Sequence, residues 1–297
     1  MKAHFQKSLL VIAILAAIGC AAQQVSETSE PVIKRWTEVK DGKTIRYMTI
    51  DGVMIHDWSL PRPKVVIPGC DHPGGIPSDA IVLFDGTRET MEKEWTNSKW
   101  SYVDGVMESM KKAGYNVTRR KFGSCQLHIE WASPSEVKGS DQTRGNSGVF
   151  LMDYEVQILD SFDNRTYPPE LRTGGIIYNE TYRDGQAGAL YGRNAPLVNA
   201  CRGPGQWQTY DIIFHRPIFN EDGTVLRKAT FTVLHNGVLI QDHVVLSGGT
   251  GWEGPYSISE YKKHDDTMPI RLQDHGNPVR FRNIWIRPLE DKPIGEN

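Results

Sequence analysis

From Ile81 onward the chain alternates apolar and polar residues in short runs broken by turns. The segments IVLFDG, SYVDGVMES, CQLHIEWA, SGVFLM, YEVQILD, GGIIYN, TYDIIFH, ATFTVLHNGVLI, IRLQDHG and VRFRNIWIRPL each predict a strand, because a period of two puts alternate side chains on one face. Asn236-Gly237, between two such runs, predicts a hairpin turn, and Asp-Gly at 41–42 and 51–52 does the same near the start. Helical periodicity is confined to about one turn near residues 88–94. Many strands without intervening helices predict an all-β chain, folded as a two-sheet β-sandwich of the jelly-roll type.

Alternation also sorts the chemistry. In CQLHIEW, His128 and Glu130 share a face opposite Leu127 and Ile129. In YEVQILD, Glu155 and Gln157 oppose Tyr154, Val156 and Ile158, and in IRLQDHG, Arg271, Gln273 and His275 oppose Ile270 and Leu272. Were these strands neighbours, seven polar side chains would converge on one surface equipped for proton transfer. A solvated sheet face gives the same pattern, although it is more usually filled with Lys, Thr and Ser. Arg144 and Asn146, in the turn before SGVFLM, and Tyr191, Trp207 and Trp252 are further candidates to hold a sugar, the aromatic rings by stacking. Asp160 falls on the opposite parity and reads as a turn residue.

Ahead of the strands stands an export signal: Lys2 and Lys7, then an apolar run from Leu9 to Ile18, too short to span a bilayer. Ala17-Ile18-Gly19-Cys20 has the form of a lipobox, which makes Cys20 the expected lipidation site and 1–20 the signal peptide. Residues 21–78 read as a tether and a proline-bearing extended segment with a possible hairpin, and 79–290 as the folded domain. This organisation places the protein outside the bacterial cytoplasm, periplasmic or anchored to a membrane only through the lipid.

Composition adds exclusions. With 34 basic against 36 acidic side chains, the net charge of −2 offers no footprint for nucleic acid. Cys70, Cys125 and Cys201 lack the close spacing of a zinc site, so no metal is expected, although one pair would have the option of a disulfide in an oxidising compartment. No phosphate loop, nucleotide motif or Ser–His–acid order is present, and no cofactor is expected. One local duplication stands out: Asn164-Arg-Thr-Tyr167 is echoed by Asn179-Glu-Thr-Tyr182.

The ordered segments IVLFDG, RGNSGVFL, YEVQILDS, DGQAGALYG, LVNACRGPGQWQTYDIIFH, TVLHNGVLIQ and LQDHGNPVRFRNIWIRPL resemble the 3-keto-disaccharide hydrolase domain family. The resemblance implies a concanavalin A-like jelly roll and hydrolysis of 3-keto-glycosides by C2 proton abstraction, elimination at C1 and addition of water. It implies an oxidised sugar as substrate and a separate oxidoreductase as the source of its ketone. The chain departs from the family pattern by an insert from Pro168 to Tyr182, which leaves Tyr191 rather than Tyr178 in the family's tyrosine position. Glu155, Glu130 and His275 are the candidate acids and bases, their individual roles open. Gln157, Arg144, Asn146, Arg271, Gln273, Tyr191 and His128 are the candidate substrate contacts. A carbohydrate-binding domain without catalysis, and a conventional two-carboxylate glycosidase, are the alternatives.

The lipobox yields one direct test. Mass spectrometry of the mature protein is expected to show a chain beginning at Cys20 and carrying diacylglycerol. An unmodified chain beginning at Ala21 or later would overturn the assignment.

Overall fold

The computed structural model describes residues 32–50, 53–55, 75–162, 181–251 and 259–291, with no account of the side chains at 45–50 and 53–55. The leader with Cys20, Cys70 and the prolines at 61–73, the strand expected at GGIIYN, all of the insert except Thr181 and Tyr182, and Trp252 lie outside the described residues.

Two compact units divide at residues 64 and 65. The first holds β1 (Ile33–Lys40), β2 (Lys43–Ile50) and β3 (Val53–Ile55) in an antiparallel meander. Its first turn is the expected Asp-Gly hairpin, with φ of 50° at Asp41 and 72° at Gly42. Both central residues of such a two-residue turn need positive φ, which Asp and Gly tolerate.

In the second unit, β4 (Ile81–Phe84) leads to α1 (Arg88–Glu94), capped where the Thr87 side chain accepts from the Thr90 amide. There follow β5 (Ser101–Val103), β6 (Val106–Glu108), β7 (Asn116–Phe122), β8 (Cys125–Ala132), β9 (Ser147–Leu151) and β10 (Tyr154–Ile158). After the insert come β11 (Gln208–His215), β12 (Ile218–Phe219), β13 (Val225–Arg227), β14 (Thr230–His235), β15 (Val238–Val245), β16 (Met268–Leu272) and β17 (Arg280–Pro288). One sheet has the order β15-β14-β11-β8-β17-β6-β5, with β4 also paired to β17; the other has the order β10-β9-β16-β7. Every pairing is antiparallel. The fold is the expected two-sheet β-sandwich, and Asn236-Gly237 turns β14 into β15 with both φ values positive.

Two differences from the sequence pattern are informative. Strand β7 (NVTRRKF) carries Arg119, Arg120 and Lys121 and places Asn116 and Thr118 inward, so it has no hydrophobic alternation to betray it. Inward Asn116 is satisfied locally, its Oδ1 accepting from the Asn97 and Val117 amides. Strand β16 stops at Leu272, because Asp274 Oδ1 accepts from the Gly276 amide at 2.8 Å and turns the chain.

The core lies between the sheets. Leu127, Ile129 and Trp131 of β8, with Tyr210, Ile212 and Phe214 of β11, face Leu151, Tyr154, Val156 and Ile158 of the smaller sheet. Tyr210 bridges the layers by donating from its hydroxyl to the Gln157 carbonyl at 2.8 Å. Cys125 and Cys201 are free buried thiols, so neither takes part in the disulfide considered from the sequence, and burial pushes both up to about 12.

The Tyr210 bridge is measurable. Tyr210→Phe is expected to lower stability by about 1 kcal/mol, the net value of one buried hydrogen bond. The loss stays modest because the Gln157 carbonyl keeps the Gly188 amide at 2.8 Å. Denaturant unfolding reads it; an unchanged midpoint would show that the hydroxyl does not tie the layers together.

Candidate functional site

The register of the smaller sheet decides which polar side chains meet. Glu155 pairs with Phe150, Gln157 with Gly148, and Arg271 with Phe150 from the other side. Residues directly opposite in an antiparallel pair share a face. Glu155, Gln157, Gly148, Phe150 and Arg271 therefore occupy the face turned away from the core. Gly148 makes room for the acid: a Cβ there would collide with Glu155 Oε1 and with the Phe150 ring.

Glu155 is only 6% exposed although it sits on an outer face. Burial pushes its carboxyl up to about 8, against the opposing pull of the Arg271 guanidinium. Arg271 does not neutralise it, because Arg271 Nη2 is bound to Asp153 Oδ1 at 2.8 Å and the guanidinium lies 5.0 Å from the Phe150 ring centroid and 5.3 Å from that of Tyr115. The Gln157 amide stands between the Gln142 side chain at 2.8 Å and Glu155 Oε1 at 3.2 Å. An amide suits both protonation states of its neighbour, since its oxygen accepts from a carboxylic acid and its nitrogen donates to a carboxylate.

The surrounding groups come from loops. Gln142 donates to Thr181 Oγ1 at 2.6 Å and to the Gly185 carbonyl at 3.0 Å, and its own carbonyl accepts from Asn146 Nδ2 at 2.6 Å. Asn146 Oδ1 and Gln273 Oε1 are buried without a hydrogen-bond partner. Gln273 continues the pairing beyond β16 by donating its amide to the Gly148 carbonyl at 3.0 Å. The bridge between Val156 and Leu190 sets Tyr191 across from Glu155, and the Tyr191 amide donates to the Glu155 carbonyl at 3.2 Å. Thr250 Oγ1 accepts from the Glu155 amide at 2.8 Å. Gln142 and Tyr182 had no strand context to mark them in the sequence, since both lie in loops.

Glu155, Gln157, Arg271, Gln273, Asn146 and Tyr191 thus gather at one site, but His128 and Glu130 do not join them. Strand β8 belongs to the larger sheet, and its outward residues point away from the shared core, not toward the Glu155 face. His128 Nδ1 lies 2.6 Å from Asp211 Oδ1, and its ring stacks on Trp285 at 5.1 Å. Glu130 accepts from Arg282 Nε at 2.6 Å and Asn283 Nδ2 at 2.8 Å. Burial drives the His128 imidazolium down, but the bonds and charges of Asp211 and Glu130 together outweigh it and hold it at about 9. Trp207 belongs to this side as well, with the Arg282 guanidinium 4.1 Å from its ring centroid. His275 sits exposed beyond the end of β16, where the turn at Asp274 has broken the alternation that would align it with Arg271.

Arg144 also differs from expectation. Its Nε donates to Asp160 Oδ2 at 2.8 Å in a pair whose side chains are 1% and 3% exposed. Asp160 Oδ1 accepts from the Phe162 amide at 3.2 Å, so the residue is both turn former and counter-ion. The pair borders a cavity of about 200 Å³, lined also by Lys138, Gly145, Gly276 and Asn277. Among the described residues, no cluster of three or more His, Cys, Asp or Glu side chains is arranged to hold a metal ion.

Comparison with known proteins agrees with this architecture. Residues 79–287 match the family model described as a 3-keto-alpha-glucoside-1,2-lyase-like domain. A 3-keto-disaccharide hydrolase of Bacteroides thetaiotaomicron is 24% identical over 257 residues, covering 72% of this chain and 81% of that protein. The crystal structure of a candidate glycosyl hydrolase from Parabacteroides distasonis is 43% identical, covers 79% of this chain and 95% of its own, and superposes with a TM-score of 0.68.

The Arg144–Asp160 pair generates a prediction that separates scaffold from chemistry. Asp160→Asn leaves a buried guanidinium without its counter-charge and is expected to cost about 3–5 kcal/mol. Thermal and denaturant unfolding read this loss. A stability within about 0.5 kcal/mol of the parent, the usual span of a surface change, would show that the pair is not an anchor.

Proposed function

The chain belongs to the family of 3-keto-alpha-glucoside-1,2-lyase-like domains and is a hydrolase of the glycosidase type, and on that footing we propose that it cleaves 3-keto-glycosides by elimination and rehydration, with Glu155 as the proton-transferring carboxyl. A ketone at C3 acidifies the C2 hydrogen. Removal of that proton drives the C2–H electron pair into a C1–C2 double bond as the substituent at C1 departs. Water then adds at C1 and a proton returns to C2, giving net hydrolysis without an external redox partner. The ketone itself is the work of a separate oxidoreductase.

The observation that carries this reading is the environment of Glu155. A carboxylate of ordinary basicity is a weak base toward a carbon acid, and proton transfer is most effective when the catalytic pKa lies near the working pH. Desolvation on a face shared with amides and a tyrosine moves Glu155 into that range, at about 8. Gln157 is placed to serve both of its protonation states. Oxygen developing negative charge at C3 needs donors, and Arg271 and the Gln273 Nε2 amide are the groups assigned to it, since Asn146 Nδ2 already donates to Gln142. Glu130 and His128 have no part in this assignment, because their cluster lies on the other sheet.

The sign of the pH dependence follows from the direction of the shift. A carboxyl raised above its unfolded value destabilises the folded chain once it must ionise, so the cost begins above the unfolded carboxyl range and grows until about pH 8. Glu155→Gln removes the titration and keeps the shape. It is expected to leave the melting temperature unchanged or raised at neutral pH, while turnover of a 3-keto-glucoside falls by about 10²–10⁴-fold. The parent kcat/KM is expected to rise with pH through about 8, a limb the variant lacks. Assays of the pure protein on a 3-keto-glucoside and on the unoxidised glucoside decide among the readings. Turnover of the first alone supports the proposal. Cleavage of the second indicates a conventional glycosidase, and binding without cleavage indicates a carbohydrate-binding domain.

A further inference from the structure

Elimination at C1 needs a second proton, for the departing oxygen, and the structure offers a donor beside Glu155. Tyr191 stands opposite Glu155 across the Val156–Leu190 bridge, on the same outer face. Its backbone is held on both sides: the amide of Gly192 donates to the Asp184 carbonyl at 3.0 Å, and the Tyr191 carbonyl accepts from the Gly251 amide at 3.1 Å. The Tyr191 hydroxyl meets the hydroxyl of Tyr182, their ring centroids 6.2 Å apart and inclined at 49°.

Tyr182 is seated deliberately by its surroundings. It caps the turn Arg183–Gly185, and a Cβ on Gly185 would collide with the Tyr182 ring at Cε2 and with Gln142 Nε2. Its neighbour Thr181 accepts from Gln142, the same side chain that reaches Gln157. A continuous chain of polar contacts therefore runs from Glu155 through Gln157, Gln142 and the Thr181-Tyr182 step to Tyr191. These last two residues close the insert, so the duplicated segment delivers its terminal tyrosine to the site.

Two hydroxyls that share one hydrogen bond divide their protons unequally. When Tyr182 donates, Tyr191 retains its own hydrogen, and among the described residues no group accepts it. We propose that Tyr191 gives this hydrogen to the departing glycosidic oxygen, and that Tyr182 is the positioning residue that orients it and stabilises the oxygen left behind. The assignment deepens the elimination reading above and rests on it. Burial and the Glu155 charge together hold Tyr191 above its ordinary range against the opposing hydrogen bond from Tyr182, so the hydroxyl keeps its hydrogen until the departing oxygen takes it.

The step balances. The C2 proton passes to the Glu155 carboxylate, the C2–H pair becomes the C1–C2 double bond, and the C1–O pair leaves on the aglycone oxygen, which takes the Tyr191 proton. Water then attacks C1, giving a proton to the Tyr191 phenolate while Glu155 returns its proton to C2. Both residues end as they began.

The test compares two 3-keto-glucosides that differ in need for an acid, one with a methyl aglycone and one with p-nitrophenyl, whose phenolate leaves unaided. For Tyr191→Phe we expect kcat to fall by about 10²-fold or more on the methyl substrate and by less than about tenfold on the nitrophenyl one. For Tyr182→Phe we expect a loss of about tenfold on the methyl substrate, KM within about twofold, and a nearly unchanged rate on the nitrophenyl substrate, as for a residue acting only through the acid. The ratio of the two rates within one preparation does not depend on how much of a variant has folded. Equal losses on both substrates, or no loss on either while the parent turns both over, would overturn the tyrosine assignment and leave the elimination reading standing. A parent inactive on both substrates would instead bring down the elimination reading, and this assignment with it.

Discussion

Strand alternation lets a single sheet serve two environments, and the smaller sheet of this sandwich depends on that division. Val156 and Ile158 of β10 pack into the core against the larger sheet, while Glu155 and Gln157 between them turn outward. Because the inward residues fix the strand at van der Waals contact, the outward ones inherit its rigidity. Tyr210 tightens the connection by reaching through the core to the carbonyl of Gln157 itself. The position of the candidate acid is thus set by packing on the far side of its own backbone.

Three buried charged clusters show how differently the fold treats ionised groups. Arg144 and Asp160 neutralise each other in near-complete burial and anchor the loop that leads into β9. His128, held between Asp211 and Glu130, is kept cationic, and Glu130 is held well below the usual carboxyl range despite burial, by His128, Asn283 and Arg282. Glu155 is the exception, buried on an outer face with the Arg271 guanidinium engaged by Asp153. A group left uncompensated in this way costs stability and gains reactivity, which is the balance a proton-transfer site requires.

Loops supply what the sheet lacks. Gln142, Asn146, Tyr182, Tyr191 and Thr250 arrive from connections around the face, and glycines at 148 and 185 are required because a Cβ at either would occupy the space of a site side chain. The outer face of a four-stranded sheet is by itself an open surface. Its enclosure by these segments is what raises the Glu155 carboxyl.

The sequence by itself determined the all-β class, most of the strands, the Asp41-Gly42 and Asn236-Gly237 hairpins, and the pairing of Glu155 with Gln157 on one face. All of these follow from a period of two or from the φ demands of two-residue turns, which are local properties. It also determined that His128 and Glu130 share a face, but not whose face that is. Sheet membership is a pairing between strands far apart in the chain, and alternation carries no information about it. Only the tertiary structure therefore put β8 in the larger sheet and β10 in the smaller, leaving two chemically similar acid clusters on separate surfaces. The same non-local logic hid β7, whose inward Asn116 is satisfied by amides of residues 97 and 117. It turned Arg144 from an expected sugar contact into the partner of Asp160. And it removed His275 from the Arg271 face, because the Asp274 side chain accepts from the Gly276 amide in a turn and the strand ends at Leu272, before the alternation would have carried His275 there.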